Sequence, residues 1–131
     1  MSAAYVESSA MTKLVLDEQQ STALRHALRA HDHWVSSDLT VIEVTRAASR
    51  ARGDEGRAQA RAALLPLGTL PVDRTVVSAA SRLEPSTLRP LDAIHIATAL
   101  ALAPDDVVFY SYDARTIDAA RAAGLTVSSP T

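Results

Sequence analysis

Cysteine is absent from this 131-residue chain, which excludes disulfide scaffolding, thiolate zinc sites and cysteine nucleophiles and suits a reducing compartment. Lysine is nearly absent: Lys13 stands alone, and the other twelve of the thirteen basic residues are arginine. The N-terminal Met1-Ser2-Ala3-Ala4-Tyr5-Val6-Glu7 lacks the basic region and long apolar stretch of a signal peptide, and no later apolar run approaches a membrane span. The expectation is a cytoplasmic protein with no membrane partner. A strong field of one sign is missing too. With a net charge of −2, any polyanion must be met by a local basic patch or a bound cation. Repeats, linkers and low-complexity segments are also lacking, so residues 1–131 are expected to form one domain. What is present, 47% hydrophobic and 21% charged residues, is the composition of a chain that buries a core.

Apolar runs alternate with helical periodicity along the chain. Ala3 to Val6 is a short strand that ends at Glu7-Ser8-Ser9, and Ala10 to Leu16 reads as helix. A second helix carries Leu24 and Leu28 on one face, and Trp34-Val35-Ser36 is a second strand. Ser37 or Asp38 caps the next helix, which runs to Gly53, and another extends from Asp54 to Leu65 before Pro66 and Gly68. Thr69 to Val72 is a third strand candidate, and Asp73 caps a short helix with Val76, Val77 and Ala80. Pro85 and Pro90 bracket a loop before the most apolar helix, Leu91 to Ala103. Val107 to Ser111 is a buried strand, Asp113 opens a helix ending at Gly124, and Leu125 to Val127 is the last strand. This alternation predicts an α/β fold, a mostly parallel sheet with helices on both faces.

In open α/β sheets the site lies outside the carboxyl ends of the strands, where strand order reverses. Glu7 and Asp113 each follow a strand and precede a helix, so they meet if the first and fourth strands are neighbours. Asp92 lies in the first turn of the apolar helix, where the dipole favours an anion. Glu43 shares a helix side with Leu39 and Ala47. Four such carboxylates, if they converge, repel one another unless a cation neutralises them. A hard divalent ion such as Mg²⁺ or Mn²⁺ prefers oxygen ligands and supports in-line hydrolysis of a phosphodiester. Each residue also has a plainer reading: helix cap for Asp113, favourable first-turn charge for Asp92, solvated positions for Glu7 and Glu43.

Four segments in register make the pattern specific. Tyr5-Val6-Glu7-Ser8-Ser9-Ala10, Ser37-Asp38-Leu39 with Glu43, Leu91-Asp92-Ala93-Ile94-His95-Ile96-Ala97-Thr98-Ala99, and Tyr112-Asp113-Ala114-Arg115 with Ala119, Ala120 and Gly124 together resemble a PIN domain. The resemblance is nearest to the small bacterial VapC-type toxins of toxin–antitoxin pairs. It implies a PIN-like three-layer fold, an acidic pocket for Mg²⁺ or Mn²⁺, and endonucleolytic cleavage of RNA. By the same resemblance Glu7, Asp92 and Asp113 hold or position the metal and Glu43 is the remaining acidic site residue. A small antitoxin partner and a homodimer are implied as well. The family normally has aspartate where this chain has Glu7, and the extra methylene is expected to push the carboxylate further into the pocket and disturb hard-metal geometry, for Mg²⁺ more than Mn²⁺.

Secondary features carry weaker signals. His95, one turn beyond Asp92 in an apolar helix, reads as a structural histidine. Arg46, Arg50, Arg52, Arg57 and Arg61 lie at helical neighbour spacing and read as a solvated face, with gripping of RNA phosphates as the alternative. Leu24, Leu28 and Val41 are candidates to serve an antitoxin groove, and Ser8 and Ser9 to bond phosphate or cap a helix. Two other readings compete: a PIN module that binds RNA or antitoxin without cutting, and a phosphoacceptor signalling domain. The latter wants a lysine late in the sheet, and Lys13 is on the first helix.

Overall fold

The computed structural model describes residues 2–102 and 106–131. Five parallel strands, β1 (Ala3–Val6), β2 (His33–Ser37), β3 (Gly68–Leu70), β4 (Val107–Tyr110) and β5 (Thr126–Ser128), pair in the order β3-β2-β1-β4-β5. The centre is β1, whose Ala4, Tyr5 and Val6 are fully buried, as an apolar strand covered on both faces requires.

Alternation along the strands divides the core in two. Ala4 and Val6 of β1 and Tyr110 of β4 face a cluster with Ala10, Met11, Leu24, Leu28, Val44 and Ala48. Those residues belong to α1 (Ser8–Val15), α2 (Ser21–Leu28) and α3 (Asp38–Leu64). Tyr5 and Phe109 point the other way, to Ile96 and Ala99 of α5 (Pro90–Ala101) and Ala119 and Ala120 of α6 (Ala114–Ala122). Tyr5 and Phe109 stack with ring centroids 5.2 Å apart. The remaining helix, α4 (Arg74–Ser81), packs on α5. The sandwich is therefore helix, sheet, helix, as expected from the sequence.

Element boundaries differ from the sequence reading in understandable places. The two helices expected before and after Gly53 are merged as α3, broken only at Arg52 and Gly53, where Gly53 takes φ 58°. Positive φ costs glycine little, so the chain turns without ending its helical run. The apolar helix ends at Ala101, and the expected last residue, Ala103, lies outside the described residues. Leu24 and Leu28 are fully buried in the first core cluster, which corrects their candidacy for a partner groove, whereas Val41 is exposed. Among the described residues, no helix is long and apolar enough to cross a membrane.

Candidate functional site

The strand order reverses between β1 and β4, whose ends are level with Val6 beside Tyr110. Side chains just past the strand ends cap the helices that follow. Glu7 caps α1 through Ser9 N, Ser37 caps α3 through Leu39 N, and Asp113 caps α6 through Arg115 N and Thr116 N. Helix N-termini carry unsatisfied N–H groups and partial positive charge, so oxygen-rich residues collect there for local reasons before any chemistry is considered.

Asp92 and Asp113 are brought together by a residue the sequence reading overlooked. Arg89, the residue before Pro90 at the start of α5, donates from Nε to Asp92 Oδ2 at 2.8 Å and from Nη2 to Asp113 Oδ2 at 2.7 Å. Asp113 is fixed on its other side, because Oδ1 accepts the Arg115 and Thr116 amides at 3.0 and 3.3 Å. Asp92 is buried, and the hydrogen bond and charge of Asp92, then those of Asp113, raise the pKa of the Arg89 guanidinium. The available signal was the i,i+3 spacing of Arg89 and Asp92 across the helix start.

Glu43 is turned inwards, as its helix side suggested. Its carboxylate accepts from Ser8 Oγ at 2.5 Å and lies 2.8 Å from His95 Nε2. His95 is buried, and its Nδ1 lies 2.8 Å from the Tyr5 hydroxyl. An ionised carboxylate only accepts, so Nε2 turns its hydrogen towards Glu43, and Nδ1 faces the Tyr5 hydroxyl. Burial keeps the Tyr5 phenol protonated by pushing its pKa far up. The structural histidine of the sequence reading is thus also the link between the core and a site carboxylate.

Burial alone would raise Glu43, but hydrogen bonds from His95 and Ser8 outweigh it and hold the carboxyl below its ordinary value. A depressed carboxyl stabilises the fold above its unfolded pKa, and that contribution disappears as pH falls through the folded value. Melting curves from neutral pH to below about pH 4 should therefore fall less steeply for Glu43→Gln than for wild type. Parallel curves would show that these hydrogen bonds do not discriminate between charge states.

Glu7 does not reach out into the pocket. Its carboxylate folds back onto α1, accepting from Ser9 N at 2.9 Å, Ser9 Oγ at 2.5 Å and Ser111 Oγ at 2.6 Å. The Ser111 hydroxyl also accepts the Asp113 amide at 3.2 Å, so Glu7 and the Asp113 turn share one serine. Ser9, Ser111 and Arg89 were all absent from the candidates with site roles beyond capping or phosphate bonding. Of the five arginines on α3, Arg57 bonds Asp54 and Ser49 and Arg52 bonds Gln59, in keeping with a solvated face.

Among the described residues, no three His, Asp or Glu side chains converge closely enough to hold a metal ion. The donor chemistry nevertheless suits a hard cation: the candidate ligands offer carboxylate oxygens, and a guanidinium cation already spans two of them. A cavity of about 470 Å³ lies beside this pair, walled by Leu88, Arg89, Asp92, Arg115, Asp118 and Ala119.

Comparison with known proteins identifies the family and the fold. Residues 4–122 match the family described as PIN domain. Ribonuclease VapC46 of Mycobacterium tuberculosis is 44% identical over 130 residues, with 99% of each chain covered. Ribonuclease VapC47 of the same species is 35% identical, with 96% of each covered. Two solved structures share the fold at low identity. VapBC2 of Rickettsia felis, bound to a DNA fragment from its promoter, superposes with a TM-score of 0.77 at 9% identity, covering 98% of this chain and 99% of that one. VapC20 of M. tuberculosis, a sarcin–ricin loop cleaving toxin, gives 0.75 at 15% identity, covering 97% and 99%.

Proposed function

Because the chain belongs to the PIN-domain family and, through its relatives, to the VapC-type ribonucleases within it, we propose that it is a metal-dependent endoribonuclease and the toxin of a toxin–antitoxin pair. The observation that most supports this reading is the approach of Asp92 and Asp113, from different helices, to the two sides of one cation at the carboxyl end of the sheet. In this reading Glu7, Asp92 and Asp113 hold or position Mg²⁺ or Mn²⁺, and Glu43 completes the acidic set. The ion supplies Lewis acidity for hydrolysis of an RNA phosphodiester.

The chain's own residues prepare the site. The α6 amides fix Asp113 through Oδ1, and its second oxygen, which accepts from Arg89, is the one that would face the ion. His95 and Ser8 keep Glu43 ionised and aimed. Ser9 and Ser111 hold Glu7 at the rim, where it orients the turn before Asp113 through their shared serine. The neighbouring cavity falls in the size range of small-ligand sites, about 300–1,000 Å³, and receives a splayed nucleotide of single-stranded RNA. A small antitoxin, a homodimer, a single domain over residues 1–131 and a cytoplasmic location belong to the same proposal.

Purified, antitoxin-free protein should cut RNA internally with Mg²⁺ or Mn²⁺, stop with EDTA, and resume when the ion is restored. A second reading, a PIN module that binds RNA or antitoxin without cutting, draws on the folded-back Glu7 and the lack of three converging ligands. RNA binding with no cleavage in either ion, unrelieved by Glu7→Asp, would establish that reading instead.

A further inference from the structure

Arg89 is the one cation that touches two of the site carboxylates among the described residues. Its geometry is built in three steps. Pro90 stands at the first helical position and Arg89, with φ −63° and ψ 142°, forms the extended cap before it. That conformation starts α5 beneath the arginine and places Asp92 three residues on, on the same side. The guanidinium then divides its donors, Nε to Asp92 and Nη2 to Asp113, each onto an Oδ2 atom. Because Asp113 Oδ1 is committed to the α6 amides, a divalent ion shared by these aspartates would need the Asp113 Oδ2 that Arg89 holds.

We propose that Arg89 is a resident counter-cation that competes with the divalent ion for Asp92 and Asp113 and must swing away before the metal site closes. This rests on the metal-dependent reading above. Charge and exposure favour the exchange. The guanidinium brings one positive charge to two carboxylates and leaves the pair undercompensated, whereas a divalent ion balances both. The Arg89 side chain is 56% exposed, so it gives up little in departing and gains full hydration, while Asp92, at 12%, remains in place. Among the described residues no three ligands converge on a common centre, and the guanidinium holds one oxygen of each of the two aspartates nearest to doing so.

Mn²⁺ binding to the purified full chain, followed by loss of the free-ion paramagnetic resonance signal, tests the competition without requiring turnover. Arg89→Ala should bind Mn²⁺ about tenfold more tightly than wild type, the gain expected where the open arrangement has a population of about 10%. Arg89→Lys should fall between, because an ammonium cannot span two carboxylates as a fork does. Without metal, Arg89→Ala should melt below wild type, because Asp92 and Asp113 then repel, and Mn²⁺ should raise its melting temperature by more. Equal or weaker Mn²⁺ binding by Arg89→Ala overturns the competition and leaves the metal site standing. No binding by either protein, or binding unaffected by Asp92→Asn, overturns both.

Discussion

Asp92→Asn should lower RNA cleavage by about 100-fold or more, the usual loss when one preorganised electrostatic partner of a charged transition state is removed, while the fold survives. The contrast with Asp113 explains the choice. Asp113 caps α6 through two amides, so its replacement confounds stability with activity. Among the described residues the Asp92 carboxylate accepts only the Arg89 Nε bond, and an asparagine oxygen can still take that bond in the same shape. What the amide cannot do is carry charge. Cleavage by purified Asp92→Asn, compared with wild type at equal Mn²⁺ and with circular dichroism to check folding, gives the answer. Activity within about threefold of wild type, a difference of less than about 1 kcal/mol, would reduce Asp92 to a favourable charge at a helix start.

The second large effect falls on stability. In a straight helix, residues eight apart are about 12 Å distant along the axis, yet Gly56 lies against the Ala48 carbonyl. The break at Arg52 and Gly53 folds the later half of α3 back onto the earlier half. A methyl group at Gly56 would meet Ala48 carbonyl oxygen and carbon well inside van der Waals contact, and Arg52 Cβ at 3.0 Å. Helix propensity predicts that Gly56→Ala stabilises by up to about 1 kcal/mol. Sterics against backbone predict the opposite, about 3 kcal/mol of destabilisation, which for a domain of this size lowers the melting temperature by roughly 10 °C. Because Glu43 is on the earlier half, activity should fall too. A melting temperature at or above wild type would mean that the two halves separate freely.

The fold was legible because β1 and β4 are uniformly apolar and several helix starts carry a capping oxygen: Ser37, Asp73 and Asp113 all act as their positions suggested. Alternating strands and helices leave few ways to connect a parallel sheet, and the neighbouring of β1 and β4, a condition in the sequence reading, is met in the fold. Positions of Glu7, Asp92 and Asp113 were legible for the same reason, since each is tied to a strand end or a helix start, and that of Glu43 was legible from its helix side. Their partners were not. Arg89 reads as a loop arginine until Pro90 is seen to start the helix under it. His95 reads as core because the residues around it are apolar, and only the folded chain shows that its outer nitrogen meets Glu43. Long-range pairs such as Ser111 with Glu7, 104 residues apart, leave no periodic trace in a sequence.

Glu7 shows the limit most clearly. Sequence places a carboxylate after β1, and the added methylene was expected to carry it deeper into the pocket. Instead, the longer side chain has the reach to curl back and cap its own helix through Ser9, with Ser111 completing its shell. Whether it still serves the ion is a matter of the metal response of catalysis rather than of its position.

That response is the most direct test of the metal-dependent nuclease. Protein stripped with EDTA is mixed with end-labelled RNA, and the initial rate of internal cleavage is followed as Mn²⁺ is added back. The account predicts no cleavage in EDTA, a saturable rise with Mn²⁺, and no rise for Asp92→Asn at any concentration. Cleavage that persists in EDTA, or a rise that Asp92→Asn shares, would contradict it.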